Sequence, residues 1–284
     1  MEIVDFSVQE DYTLLRNYIE EISGISIPVE KAYLIETRLT KLMLDYGVDT
    51  FADFYTKIKQ HPNATLQQKI INSITTNETF WFRDELPWKV LEIVYLPRYI
   101  QEIRSGLRKK VRIWSCAAST GQEIYSTVMC VMKYLHHHKI TDVTISDFDF
   151  FATDISSRVL ETAKKGRYDS ISMSRGLTDE YRTLFFHESD LAWEIDESIK
   201  EVVRFGQYNL KNNFQIFGQF DIIFCRYVMI YFTDSFKKEL VNKLYQSLIY
   251  DGVLFTGNYV LYEMMSARFE LNHYQNLTYY TPKI

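Results

Sequence analysis

A chain of 284 residues that is 46% hydrophobic and 15% aromatic can hold two packed domains and is too apolar to be extensively disordered. Its 32 basic and 37 acidic side chains leave a formal charge of −5, which excludes the broad basic footprint of a general nucleic-acid binder.

In chain order, the first part reads as helices without strand signals. Tyr12, Leu15, Tyr18 and Ile19 share one helical face, which Ile22 continues. Pro28 interrupts the chain before a second helix striped by Ile35, Leu39, Leu42 and Met43 and ending near Gly47. Phe51, Phe54, Tyr55 and Ile58 mark a third helix, ended around His61-Pro62, and Leu66, Ile70, Ile71 and Ile74 a fourth. Residues 1–76 are thus expected to form a small helical bundle. Residues 77–110 read as a junction followed by a linker helix pair, with Trp88, Leu91 and Leu96-Pro97 in it.

From Val111 the pattern changes to alternating strands and helices. Strands are predicted at Val111–Ser115, Asp149–Thr153, Val202–Gln207, Phe220–Cys225 and Gly252–Gly257, with helices at Gln122–Leu135, Ser157–Gly166 and Asp234–Ile249. That alternation predicts an α/β fold, a doubly wound sheet over residues 111–284. Residues 184–203, of alternating polarity and too few for another βαβ unit, predict a small antiparallel flap at the sheet edge.

Two segments point to a ligand. IWSCAASTGQEIY (Ile113 to Tyr125) runs from an apolar strand through a tight loop of small residues to an acidic helix start, the pattern that turns helix amides toward a ligand. Phe150-Phe151-Ala152-Thr153 then stops at Asp154, where an acidic residue ending a second strand grips a ribose diol. An adenosine-type cofactor at the carboxyl edge of a parallel sheet follows from the pair. Gly121 is the only glycine of the loop, so the G-x-G-x-x-G pattern of a dinucleotide dehydrogenase is absent. Other polar residues fall at fitting places. Asn77, Thr79 and Arg83 alternate with aromatic rings at the junction, Asn209 follows one strand, and Arg226, Tyr227 and Tyr231 follow another.

Cys116, Cys130 and Cys225 lack metal-binding spacing and sit in apolar surroundings, so they read as reduced core thiols. His136, His137 and His138 have no carboxylate or thiolate at ligand spacing and read as a solvated helix end; no metal is expected. The start of the chain, with Glu2, Asp5, Gln9, Glu10 and Asp11, is no signal peptide, and no apolar run approaches the roughly 18 residues of a membrane span. A cytoplasmic protein is expected.

NETFWFR, RIWSCAASTGQEIYS, FFATDIS, YNL and DIIFCRYVMIYF, in this order, resemble the CheR family of chemotaxis receptor glutamate methyltransferases, from the N-terminal bundle nearly to the C-terminus. The resemblance implies a Rossmann-like S-adenosylmethionine-dependent methyltransferase sheet with S-adenosylmethionine as cofactor and S-adenosylhomocysteine as product. It implies glutamate carboxylates on the cytoplasmic methylation helices of membrane chemoreceptors as acceptors, with no nucleic acid and no membrane insertion. The family's cofactor positions correspond here to Asn77, Thr79, Arg83, Glu123, Asp154, Asn209, Leu210, Arg226 and Tyr227. Asp154 would take the ribose hydroxyls and Asn209 would lie near the adenine, with Arg83 and Tyr231 nearest the transferred methyl. Lys31, Arg38 and Lys41 match basic positions that dock the acidic methylation helix.

Three departures from the family stand out. Gln122 and Ile124 replace a Glu and a Pro around the retained Glu123; Tyr227 replaces an Asn; and Asn258-Tyr259-Val260 follows Gly257 where the family has His-Ser-Glu. They keep a second reading open, a CheR-like module that binds S-adenosylmethionine for a sensory or partner role with little transfer. The flap region lacks the glycine-containing turn of receptor-tail binders, so recognition independent of a C-terminal pentapeptide is expected.

Overall fold

The computed structural model describes residues 6–257 and 262–283. Four helices form the first part: α1 (Phe6–Ser23), α2 (Tyr33–Asp45), α3 (Phe51–Gln60) and α4 (Ala64–Ile74). The apolar stripes face one another, and Leu15, Ile35, Leu39, Phe54 and Ile70 are fully buried. Local chemistry fixes the helix starts. Thr50 accepts the amide of Asp53 at 3.1 Å, and Asn63 accepts those of Thr65 and Leu66 at 2.8 and 3.1 Å.

The region 83–108 is not a linker helix pair. α5 (Leu86–Val90) runs through a π turn, Leu91–Tyr95, directly into α6 (Leu96–Arg104) as one helix. Pro97 offers no amide to an α ladder, and a π turn just ahead of it absorbs the mismatch. Trp88, Leu91, Leu96 and Tyr99 are buried in the same core as Val111 and Ile113, so the helix belongs to the sheet layer.

The strands are β1 (Val111–Ser115), β2 (Phe148–Asp154), β3 (Arg167–Tyr168), β4 (Phe186–Ser189), β5 (Ala192–Ile195), β6 (Val203–Gln207), β7 (Phe220–Phe224), β8 (Leu248–Phe255), β9 (Phe269–Tyr274) and β10 (Leu277–Pro282). Seven form one sheet in the order β6-β2-β1-β7-β8-β10-β9, parallel from β6 to β8 and closed by the antiparallel hairpin β9-β10. That hairpin is absent from the sequence reading: FELNHY and LTYYTP alternate like a surface meander, and only the pairing of Tyr280 with Leu254 places them in the sheet. β8 also begins earlier than predicted, at Leu248.

The chain builds outward from β1 through β2 to β6, then returns to lay β7 on the other side of β1. The strand order reverses between β1 and β7, and a crevice opens above their carboxyl ends at such a switch point. At the opposite end, Arg108 joins Glu102 at 2.6 Å, Asp251 at 3.2 Å and the buried Asp221, tying α6 to the bottom of β7 and β8.

The flap is a three-stranded antiparallel sheet, β3-β5-β4, so it recruits residues 167–168 from outside the predicted range. The two-residue turn Asp190-Leu191 joins β4 and β5, with Asp190 at φ 52°. His136 and His137 end α7 (Gln122–His137), exposed to solvent together with His138. The three cysteines are unbonded and buried.

Candidate active site

The loop from β1 into α7 builds one wall of the crevice. Gly121 takes φ 94°, and a Cβ there would stand 3.0 Å from both Ala163 and the Tyr125 ring, so the tight turn and the close packing of α7 both require glycine. The Ala118 amide donates to Thr153 O at 2.9 Å, pinning the loop to the end of β2. Ser119, at φ 50°, directs its amide to Asp154 Oδ2 at 2.9 Å, while Ser156 N reaches Oδ1 at 2.9 Å. Asp154 is thereby held rigidly at the strand end. Burial pushes its carboxyl above the usual carboxylate value, and the amides of Ser156, Ser119 and Ile155 offset part of that rise.

The bundle closes the crevice from above. Ser26 N donates to Tyr231 O at 2.8 Å, and Ile25 makes a short antiparallel bridge with Phe232. Asn209 Nδ2 donates to Ile22 O at 2.8 Å, Gln68 Nε2 to Ile155 O at 3.0 Å, and Asn72 exchanges hydrogen bonds with Ser156 and Ser157. The cavity left between them is open to solvent on one side and is walled by Asp154, Asn209, Leu210, Arg226 and Tyr231 from the α/β part. Asn77 and Tyr227 complete that wall, while Ser23, Ile25 and Ile74–Thr76 come from the bundle side.

Seven of the residues singled out in the sequence therefore share one cavity: Asn77, Asp154, Asn209, Leu210, Arg226, Tyr227 and Tyr231. Three lie outside its lining. Glu123 stands one layer behind, accepting from Ser115 Oγ at 2.7 Å and from Arg226 Nη1 at 2.8 Å. Arg83 stacks on the Tyr227 ring with 3.7 Å to its centroid, and it donates to Glu78 O at 3.1 Å. Thr79 is half-buried between Glu78 and Phe80 and takes no part in the lining.

The basic docking positions divide as well. Lys31 closes a 3-10 turn (Val29–Lys31) ahead of α2 and is exposed, as is Lys41. Arg38 is engaged within the bundle, capping Ile74 O and donating to Thr76 Oγ1 at 3.1 Å. It braces the segment that walls the cavity.

Asp84 was not singled out from the sequence. Its carboxylate accepts from Arg226 Nη2 at 2.6 Å and from the Tyr227 hydroxyl, making it the centre of the polar cluster. The signal for it was weak, an acidic residue next to a conspicuous Arg83, because its role depends on a contact 142 residues away in the chain. Ile74 reads only as a bundle residue, and Ser23 and Ile25 carry no sequence signal, since periodicity does not show which end of a stripe faces a neighbouring domain.

With this geometry in place, residues 77–275 match the family model for the CheR methyltransferase SAM binding domain, and residues 10–75 that for the CheR methyltransferase all-alpha domain. The chain belongs to the CheR methyltransferase family. It is 33% identical to the chemotaxis protein methyltransferase Cher2 of Pseudomonas putida, over 87% of this chain and 88% of that one. Similarity to a chemotaxis protein methyltransferase of Vibrio anguillarum is also 33%, covering 95% and 96%. A relative from Pseudomonas aeruginosa, chemotaxis protein methyltransferase 1, is 34% identical over 87% and 88%. The CheR chain is therefore an S-adenosylmethionine-dependent methyltransferase.

The cavity fits that cofactor. Apolar surface from Ile155, Leu210 and Phe232 stands beside a fixed carboxylate at Asp154. Arg226 lines the cavity with its side chain 1% exposed, and its Nε–H has no protein acceptor. A buried donor of that kind is satisfied by a ligand acceptor such as a carboxylate. The departure at Asn258, Tyr259 and Val260 lies outside the described residues, as do Glu2 and Asp5.

Proposed function

We propose that this CheR methyltransferase esterifies glutamate side chains on the cytoplasmic methylation helices of chemoreceptors. The observation that carries the reading is the convergence of Asp154, Arg226 and Tyr231 on one cavity closed by the all-alpha domain, in a chain whose relatives are named chemotaxis protein methyltransferases.

When bound, S-adenosylmethionine supplies a methyl group on a positively charged sulfur that departs as a neutral thioether. The acceptor glutamate is ionised at neutral pH, so the protein does not have to remove a proton. The work left to the side chains is binding, alignment and exclusion of water. In this reading Asp154 accepts the ribose hydroxyls, and Asn77, Asn209, Leu210, Arg226 and Tyr227 complete the cofactor wall. Glu123 acts from behind by holding Arg226. Arg83 and the Tyr231 phenol meet the acceptor carboxylate. One guanidinium bond orients such an oxygen, whereas a full bidentate pair would blunt it as a nucleophile. Lys31 and Lys41 offer charge to an acidic helix, with Arg38 in a supporting place.

A cytoplasmic setting matches the acceptor, and no described helix is long and apolar enough to cross a membrane. The flap turn is the two-residue Asp190-Leu191 and carries no glycine, which supports recognition without a receptor-tail pentapeptide. The test is transfer of label from S-adenosylmethionine to chemoreceptor membranes, read as methanol released by mild base. Label that appears and is base-labile supports the ester. Binding of S-adenosylmethionine without any transfer favours the sensory or partner module.

A further inference from the structure

Phe82, Asp84 and Glu85 take φ values of 46°, 71° and 51°, and Tyr227 takes 55°. Such values are uncommon for residues with side chains, and least suited to bulky ones. Their clustering at one spot marks a backbone held against its local preference by surrounding contacts. Those contacts are specific. The Tyr227 hydroxyl donates to the Asp84 carboxylate, whose same oxygen accepts from Arg226 Nη2 at 2.6 Å. The Tyr227 ring lies against Gly257, where a Cβ would come within 3.0 Å of it. On that ring rests the Arg83 guanidinium, 3.7 Å from the centroid.

Arg83 also stands 5.3 Å from the Phe80 ring, and its hydrogen bond goes to the backbone of Glu78. Both groups it touches most closely, Glu78 and Tyr227, line the cavity. A guanidinium carries five donors in one plane, so stacking fixes its plane while leaving most of its edge available.

We propose that Tyr227 is a positioning residue for the acceptor: anchored by Asp84 and Gly257, its ring sets the plane and place of the Arg83 guanidinium at the cavity mouth. The proposal rests on the reading that Arg83 meets the acceptor carboxylate. Tyr227 then acts through Arg83, and its effect on the cofactor is secondary.

The test is a double-mutant cycle in the full-length protein with Tyr227→Leu, Arg83→Lys and both together. The lysine keeps the charge and loses the planar stack. Two readouts are taken: kcat/KM for chemoreceptor membranes, and the calorimetric affinity for S-adenosylhomocysteine. Each single variant lowers acceptor kcat/KM by about tenfold, as expected for a partly desolvated cation–π contact, and the pair lowers it no further. Tyr227 also lines the cofactor wall, so affinity for S-adenosylhomocysteine falls in the Tyr227→Leu variants, but by clearly less than the about tenfold loss of kcat/KM, and Arg83→Lys moves it least. Tyr227→Phe, which keeps the ring and loses the Asp84 bond, falls between wild type and Tyr227→Leu, and it preserves the test should the leucine variant not fold. Losses that multiply in the double variant, or cofactor affinity that falls in step with kcat/KM, overturn the proposal. Wild-type protein that transfers no methyl group to receptors refutes the underlying reading, and the proposal with it.

Discussion

Asp154→Asn separates the cofactor role proposed for that carboxylate from its structural one. Asp154 Oδ2 and Oδ1 each accept one backbone amide at 2.9 Å, from Ser119 and Ser156, and the residue is only 8% exposed. Asparagine offers one acceptor oxygen and one NH2, so one amide finds an acceptor and the other faces a donor. Leaving one buried amide unpaired costs about 1–3 kcal/mol. For a chain of this size each kcal/mol moves the midpoint by about 2–4 °C, so thermal unfolding should fall by about 2–12 °C. The ligand effect is separate. A hydrogen bond to a charged acceptor contributes about 1.5–3 kcal/mol, and a tenfold change in Kd corresponds to about 1.4 kcal/mol. Calorimetric Kd for S-adenosylhomocysteine should therefore rise by roughly 10- to 150-fold. Asp154→Ala leaves both amides unpaired and loses more stability, with a comparable loss of affinity. A folded Asp154→Asn protein that binds S-adenosylhomocysteine like wild type would refute the ribose assignment.

Three further outcomes follow from the same contacts. Burial raises the Asp154 carboxyl above its ordinary value. The ionised form is the one that accepts ligand hydroxyls, so affinity should hold at neutral pH and weaken as pH falls through that raised value; Asp154→Asn should show no such break in a calorimetric pH series. The sign for stability is opposite, since the protonated form suits the buried site: Asp154 itself stabilises the fold below its unfolded pKa, and that contribution is lost as pH rises through the folded one. Arg226→Met strands Asp84 and Glu123 without their shared cation, which should cost about 3–5 kcal/mol in denaturant unfolding; an unchanged midpoint would show that the cluster is not coupled to folding. Gly176→Ala would place a Cβ 1.9 Å from Trp81 O at φ 81°, so the 170–176 segment must move off the junction. Limited proteolysis of that segment should accelerate at least severalfold, and a wild-type pattern would count against the contact.

Much of this was legible because it depends on local chemistry. Val111–Ser115 announces itself as a strand through a run that ends in small residues, and Asp154 through its place after four apolar positions. The stripe of α2 reads correctly, as Ile35, Leu39, Leu42 and Met43 are all buried. What was not legible depends on distant partners. Glu123 reads as a first-turn acid of α7, and only the approach of Arg226 from β7 turns it into a brace behind the cavity. Arg38 has the spacing of a surface cation, yet α4 ends close enough to claim it. Arg83 to Arg108 reads as a linker helix pair, whereas the π turn ahead of Pro97 joins α5 and α6 and the helix stays whole against the sheet.

The charges around the cavity bear on the role proposed for Arg83, which is half-buried beside them. Arg226 lies between Asp84 and Glu123, one guanidinium against two carboxylates, so that buried cluster carries a formal −1. Asp154 adds a second negative group, and Glu78 at the mouth is paired with Arg175 at 2.6 Å, which holds its carboxyl below the usual value. An acidic wall of this kind favours a cationic ligand and opposes a second carboxylate entering beside it. Among the described residues, the hydrogen bond of Arg83 goes to a backbone carbonyl and no carboxylate is in ion-pair contact with it, although after Arg175 its charge also helps to lower Glu78. In the proposed reading, that guanidinium meets an incoming anion at a point where the wall would otherwise repel one. A neutral aromatic such as Tyr227 beneath it is suited to that purpose, because it fixes the guanidinium without consuming its charge.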